Sequence, residues 1–228
     1  VFTGGEPLIR KDLVELLTYA RNLGMHITLS SNTLLLEKHE DTVLPLVDEI
    51  GIPLDGSNLK THAQMRKGNP RSFLTTIQAI ERLKIKFPDL HITIRTVASK
   101  INMNDIEKIG RYLANRTHLY DRWKVYQFAP ISYGEENKEE HVIDNAVFAA
   151  LSQRLTTEFK DIVPLKVFPI TERTGRYVFV GPEGYIFGVP DDGITIEIVG
   201  NLLKESLDAI APAIIRLINP DANAAHGI

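Results

Sequence analysis

Thr3-Gly4-Gly5-Glu6-Pro7 is the string of this sequence best suited to chemistry. Gly4 and Gly5 carry no Cβ, so a ligand can approach their backbone closely and unusual φ and ψ cost little. Glu6 offers a carboxylate that can accept a hydrogen bond from an ammonium group, and Pro7 suits the start of a following helix. Polar residues also follow the next apolar runs: Ser31 and Asn32, then Asp55-Gly56-Ser57-Asn58, then Ser99 to Asn102. Ser and Asn carry both donors and acceptors, which suits ribose hydroxyls. The same residues also cap helices and build Asx turns.

These groups need a scaffold that brings them to one rim. Short apolar runs alternate with amphipathic stretches, the pattern of βα units and a parallel sheet. Residues 1–3 read as the tail of a strand, and 10–23 as a helix with Leu13, Val14, Leu16, Leu17 and Ala20 in its stripe, stopped by Gly24. Strands are expected at 25–30, 49–54, 91–97 and 123–128, and helices at 40–46, 72–83, 104–114 and 144–159. That gives five strands through residue 128. In a parallel α/β barrel the ligand site lies where strands end and helices begin, which is where the polar groups fall. On 123–128, Lys124, Tyr126 and Phe128 share one face, and Trp123, Val125 and Gln127 the other.

Past residue 160 the pattern changes. Residues 163–170 read as extended, 177–188 as a hairpin turning at Gly181-Pro182-Glu183-Gly184, and 194–199 as a strand. A helix over 203–217 has Leu207, Ile210, Ile214 and Leu217 as its stripe, and 219–228 reads as a loose tail. The expected organisation is a barrel over 1–160, an extension over 161–218 and the tail.

Composition sets limits. With 26 basic and 29 acidic residues and no basic cluster, the chain has no signature of nucleic-acid binding. No apolar run nears the roughly 20 residues that span a bilayer, and no signal peptide is expected. Residue 1 is Val, so the natural chain is expected to begin earlier. The sequence has no Cys, which excludes a disulfide, a zinc–thiolate site or a Cys-ligated cluster within these residues. Asp191-Asp192 lacks a third oxygen ligand nearby and reads as a solvated turn. No His pair has zinc-site spacing, so no metal ligand is assigned.

Taken with its strand–helix setting, Thr3-Gly4-Gly5-Glu6-Pro7 resembles the methionine-binding motif of radical S-adenosylmethionine (SAM) enzymes. Ser31-Asn32-Thr33 is similar to a Ser-Asn-Thr/Gly string of that family. Leu54-Asp55-Gly56 followed by Arg66 resembles a family stretch in which an arginine pairs with the SAM carboxylate, a role that suits a guanidinium. Residues 95–102 resemble the family's fifth strand and its exit loop. Arg122-Trp123-Lys124-Val125-Tyr126-Gln127-Phe128 looks like a segment of viperin-like members. Three departures separate the chain from those members: Pro53 stands where many relatives carry serine, Ala129 to Gly134 lacks their acidic, Gly-rich exit, and the basic cluster expected for a triphosphate is not visible, with Arg95, Lys100 and Lys124 its only plausible contributors.

The resemblance implies an α/β fold, a partial (β/α)6 TIM-like barrel lacking its first βα unit, with a C-terminal α+β extension. It implies SAM contacts at Gly4, Gly5, Glu6, Pro7, Ser31, Asn32, Asp55, Arg66, Thr96 and Asn102, with Asp55 alternatively bracing its loop. Arg95, Lys124 and Tyr126 would face a small-molecule, nucleotide or peptide substrate, with barrel packing as the alternative. The cofactors implied are SAM and a [4Fe–4S] cluster held by C-x3-C-x2-C cysteines absent from this chain. Together they would generate a 5′-deoxyadenosyl radical for hydrogen abstraction. The resemblance further implies a cytoplasmic enzyme served by an electron donor such as flavodoxin or ferredoxin. The Cys-free chain alone is expected to be inactive, and an exposed barrel flank to favour dimers. Two readings stay open beside the enzyme: a cluster-less SAM- or nucleotide-binding protein from the same barrel, and an unrelated α/β barrel.

Overall fold

Leu29, Ile50, Ile52, Ile92, Ile94, Trp123 and Val125 are all buried completely. They occupy alternate positions of neighbouring strands, so one face of a sheet is apolar and covered. In this computed structural model the description covers residues 1–66, 68–173, 175, 177–190 and 194–218. The chain divides into two units: Val1–Tyr126 with Ala149–Val167, and Gln127–Phe148 with the residues from Phe168 on.

In chain order the elements are α1 (Leu13–Asn22), β1 (Thr28–Ser30), α2 (Leu36–Val43), β2 (Glu49–Pro53), α3 (Leu59–Met65), α4 (Arg71–Lys86), β3 (His91–Ala98), α5 (Ile106–Ala114), β4 (Arg122–Gln127), α6 (Lys138–His141), α7 (Asn145–Phe159) and β5 (Leu165–Phe168). A five-stranded sheet runs in the order β1-β2-β3-β4-β5. Parallel registers pair Ser30 with Gly51, and Gly51 with Thr93. Phe2 adds a parallel bridge to Leu29 at the β1 edge, donating to the Thr28 carbonyl at 2.7 Å and accepting from Ser30 N–H at 2.9 Å. The expected α/β architecture is therefore present, with residues 1–3 reduced to one bridge.

Helix ends follow local chemistry. Past α1, Gly24 has φ +72° and donates to the Arg21 carbonyl, while Met25 donates to that of Ala20. This is the double bond of a Schellman motif. The helix expected over 40–46 begins earlier, as α2, and ends in a 3-10 turn at Leu44–Leu46. Helix α3 was not anticipated; Asn58 caps it by accepting the Thr61 N–H at 3.0 Å. Helix α5 packs Gly110 against α7, where an added Cβ would lie 2.5 Å from the Phe159 ring.

In the second unit, β6 (Val178–Val180), β7 (Tyr185–Gly188) and β8 (Glu197–Asn201) form an antiparallel sheet, followed by α8 (Leu207–Leu217). The expected hairpin is β6–β7. Gly188 and Gly200 let α8 lie close, since a Cβ there would press on Leu217 and Ile210. Of the stripe expected on this helix, Ile210 and Leu217 are buried and Leu207 is exposed. Asp191-Asp192 and 219–228 lie outside the described residues. Among those described, no helix is long and apolar enough to cross a membrane.

Candidate cofactor and substrate site

Glu6 and Asn32, far apart in sequence, meet just past the Phe2–Leu29 bridge and the end of β1. The Glu6 carboxylate accepts the Asn32 backbone N–H at 2.6 Å and the Leu8 N–H at 3.1 Å. The second bond caps a 3-10 turn, Pro7–Ile9, with Pro7 at its first position. Gly4 has φ +129°, a conformation that favours glycine. A Cβ on Gly4 or Gly5 would meet nothing within 4 Å, so this backbone faces open space. Ser31 is buried and accepts the Thr33 N–H at 3.0 Å, and Asn32 Oδ1 accepts the Leu34 N–H at 3.0 Å. Thr33 holds φ +70°, uncommon for a β-branched residue, with its hydroxyl bonded to Thr75 and Thr76.

The ends of β2 and β3 form a second group. Buried Asp55 accepts the Val97 N–H at 2.7 Å and pairs with Arg66 at 2.5 Å. Its own N–H donates to Nδ1 of His62, which is wholly buried. Burial pulls the His62 pKa down to about 4, with Arg66 adding to the fall and Asp55 opposing it. Arg66 Nε is buried without a partner. Asn102, fully buried, donates to the Asp55 and Val97 carbonyls at 2.9 and 2.8 Å and accepts the Ser99 N–H at 2.9 Å. Thr96 donates to the Leu54 carbonyl at 2.6 Å and accepts the Trp123 indole N–H at 2.9 Å. Thr96 and Asn102 are thus engaged within the protein, while Arg66 keeps a donor.

The third group lies on the polar face of the sheet. Glu49 accepts the Thr93 hydroxyl at 2.8 Å and faces Lys124 at 3.6 Å and Arg95 at 3.7 Å. Arg95 also bonds Ser30. Burial alone would raise the Glu49 pKa, but Thr93, Lys124 and Arg95 together hold it below the ordinary value. Burial lowers that of Lys124, Arg95 adds to the fall, and Glu49 opposes it. Tyr126 shares the strand face of Lys124 and is partly exposed. Sequence reading missed Glu49, which opens an apolar run and gave no sign of meeting two cations.

This donor set fits SAM. It offers open glycine backbone, a carboxylate for an ammonium group, an arginine with a spare donor, and Ser and Asn beside them. It does not fit a [4Fe–4S] cluster, because the chain has no thiolate. Among the described residues no group of three His, Asp or Glu could hold a metal instead.

Fold and site together define a class: a parallel α/β sheet of partial-barrel type, with polar groups gathered at its strand ends. Residues 1–113 match the radical SAM superfamily, and through this region the chain belongs to it. It is 33% identical over 142 residues to an AdoMet-dependent heme synthase of Methanosarcina barkeri, covering 61% of this chain and 39% of that protein. It is 23% identical over 217 residues to an S-adenosylmethionine-dependent nucleotide dehydratase of Selenomonas ruminantium, covering 92% and 75%. The solved structure of Streptococcus suis SuiB bound to precursor peptide SuiA matches with a TM-score of 0.67 and 14% identity, covering 99% of this chain and 55% of that one. The chain thus spans about two fifths of the heme synthase and three quarters of the dehydratase.

Proposed function

We propose that this chain is part of a radical SAM enzyme. It holds SAM at its strand ends, and the cluster's thiolates come from a segment outside these 228 residues. The observation that carries the reading is the meeting of Glu6 with Asn32 beside the open backbone of Gly4 and Gly5. Glu6 already accepts two N–H groups and retains lone pairs for an ammonium donor. Ser31 and Asn32 stand beside it for ribose hydroxyls. Arg66, steadied by Asp55, offers its spare Nε–H to a carboxylate.

SAM, bound together with a cluster, would supply radical chemistry for hydrogen abstraction from substrate. This chain's own part is to bind, orient and keep out water; no step is assigned to the cluster, because no residue here can ligate it. Arg95, Lys124 and Tyr126 would face the substrate. The relatives' heme synthase, dehydratase and peptide-bound names support a small-molecule, nucleotide or peptide substrate, and an electron carrier such as flavodoxin or ferredoxin would serve the enzyme. A working division of the chain is a barrel over 1–160, an extension over 161–218 and a tail beyond.

The coding sequence upstream of Val1 tests the reading. Three cysteines at C-x3-C-x2-C spacing within roughly 40 residues, about one βα unit, are expected. The extended chain, reconstituted with iron and sulfide and then reduced, should convert SAM to 5′-deoxyadenosine, and the 228-residue chain should not. The lack of Cys also favours a second reading, a cluster-less SAM- or nucleotide-binding protein. Absence of upstream cysteines together with tight SAM binding would select it.

A further inference from the structure

Arg95 and Lys124 carry more hydrogen-bonding capacity than the protein uses. Their side chains are only 24% and 17% exposed, and they face Glu49 at 3.7 and 3.6 Å, which makes at best long, weak hydrogen bonds. Arg95 Nε is buried with no partner. Buried donors left unpaired are costly, so an acceptor anion arriving here removes a penalty as well as making bonds. Gly51 makes the arrangement possible. The Arg95 guanidinium lies against it, and a Cβ at Gly51 would overlap that group. Arg95 can therefore reach from β3 across β2 to Ser30 on β1.

Two cations face one carboxylate here, and Arg122, two positions from Lys124 on the same strand, adds to the positive field at Lys124. We propose that the face around Arg95 and Lys124 seats one carboxylate of the substrate, and that Glu49 sets this preference by cancelling one positive charge. The word substrate rests on the radical SAM reading; the carboxylate seat rests on these five residues alone. A carboxylate matches the guanidinium edge. A diphosphate brings surplus negative charge against Glu49, which Thr93 fixes at 2.8 Å.

The test is nitrogen NMR of the Arg95 Nε–H and the Lys124 ammonium in the full labelled chain, titrated with propionate and, separately, with pyrophosphate. Propionate should move both signals to saturation, and pyrophosphate should bind no more than about threefold tighter. In Glu49→Gln, pyrophosphate should tighten about tenfold, since one added unit charge at this range is worth at least that. In Gly51→Ala, which displaces Arg95, propionate binding should fall about tenfold. Unmoved signals with either probe, pyrophosphate tenfold tighter in the unmodified chain, or propionate binding indifferent to Gly51→Ala would each overturn the proposal. If a variant fails to fold, the two titrations of the unmodified chain still uphold or overturn it. SAM titrated into the same sample reports separately: carboxylate shifts without SAM binding would sink the SAM reading and leave this seat standing.

Discussion

His62 accepts the Asp55 N–H through Nδ1, so its remaining proton sits on Nε2, which is buried without a partner. A second proton would abolish the acceptor and set a positive charge beside Arg66. Its folded pKa is about 4, against an ordinary 6.5. The unfolded chain therefore takes up a proton below 6.5 that the folded chain refuses until about 4. This contribution to stability is whole above pH 6.5, declines as pH falls, and levels off near 4. It amounts to about 3 kcal/mol at most. Urea unfolding at several pH values should show that slope, and His62→Phe should lose it, being less stable than the parent above pH 6.5 with the gap closing toward pH 4. Equal slopes in the two proteins would contradict the assignment. At this scale Gly4, Glu6 and Asn32 were legible because glycine and small polar residues directly after apolar runs have few uses besides turns and ligands. Glu49 was not legible. Its partners lie 44 to 75 positions away in the chain, and a lone acid opening a strand reads as solvent-facing.

The loops after β2 and β3 are tied together as one element. Asp55 takes the Val97 N–H, Thr96 reaches the Leu54 carbonyl, and Asn102 holds the carbonyls of both Asp55 and Val97. Ser57 adds two bonds of 2.6 Å to Asp105. Arg66 inherits its position from this clasp through Asp55. Asn102→Ala leaves two buried carbonyls and the Ser99 N–H unpaired, which should cost about 3 kcal/mol. If Asn102 acts only through the clasp, its variant should weaken SAM binding by the same factor as Asp55→Ala, and the double variant should add nothing further. Additive losses would place Asn102 against the ligand instead. Element order was readable from the alternation of apolar runs and amphipathic stretches, and β3 and α7 fall within a residue or two of expectation. Helix α3 was missed because seven residues carry too little periodicity. Residues 1–3 form a single bridge because only Phe2 pairs with the β1 edge.

Across the first unit, polar chemistry collects on the sheet face opposite its apolar layer and at the ends of its strands. That arrangement follows from topology: parallel strands all finish at one rim, so residues after successive strands become neighbours however far apart in sequence. The resemblance read from several short strings between Thr3 and Phe128 is matched by the family over residues 1–113, yet no substrate could be read from it. The substrate contacts proposed for Arg95 and Lys124 lie in strand interiors, where the same residues could equally be packing. The central claim is that these strand ends hold SAM. Calorimetric titration of SAM into the 228-residue chain, beside Glu6→Ala and Arg66→Ala, tests it most directly. Saturable one-to-one binding, weakened about tenfold or more by each substitution, is the predicted result. No binding, or binding that both substitutions leave unchanged, would contradict it.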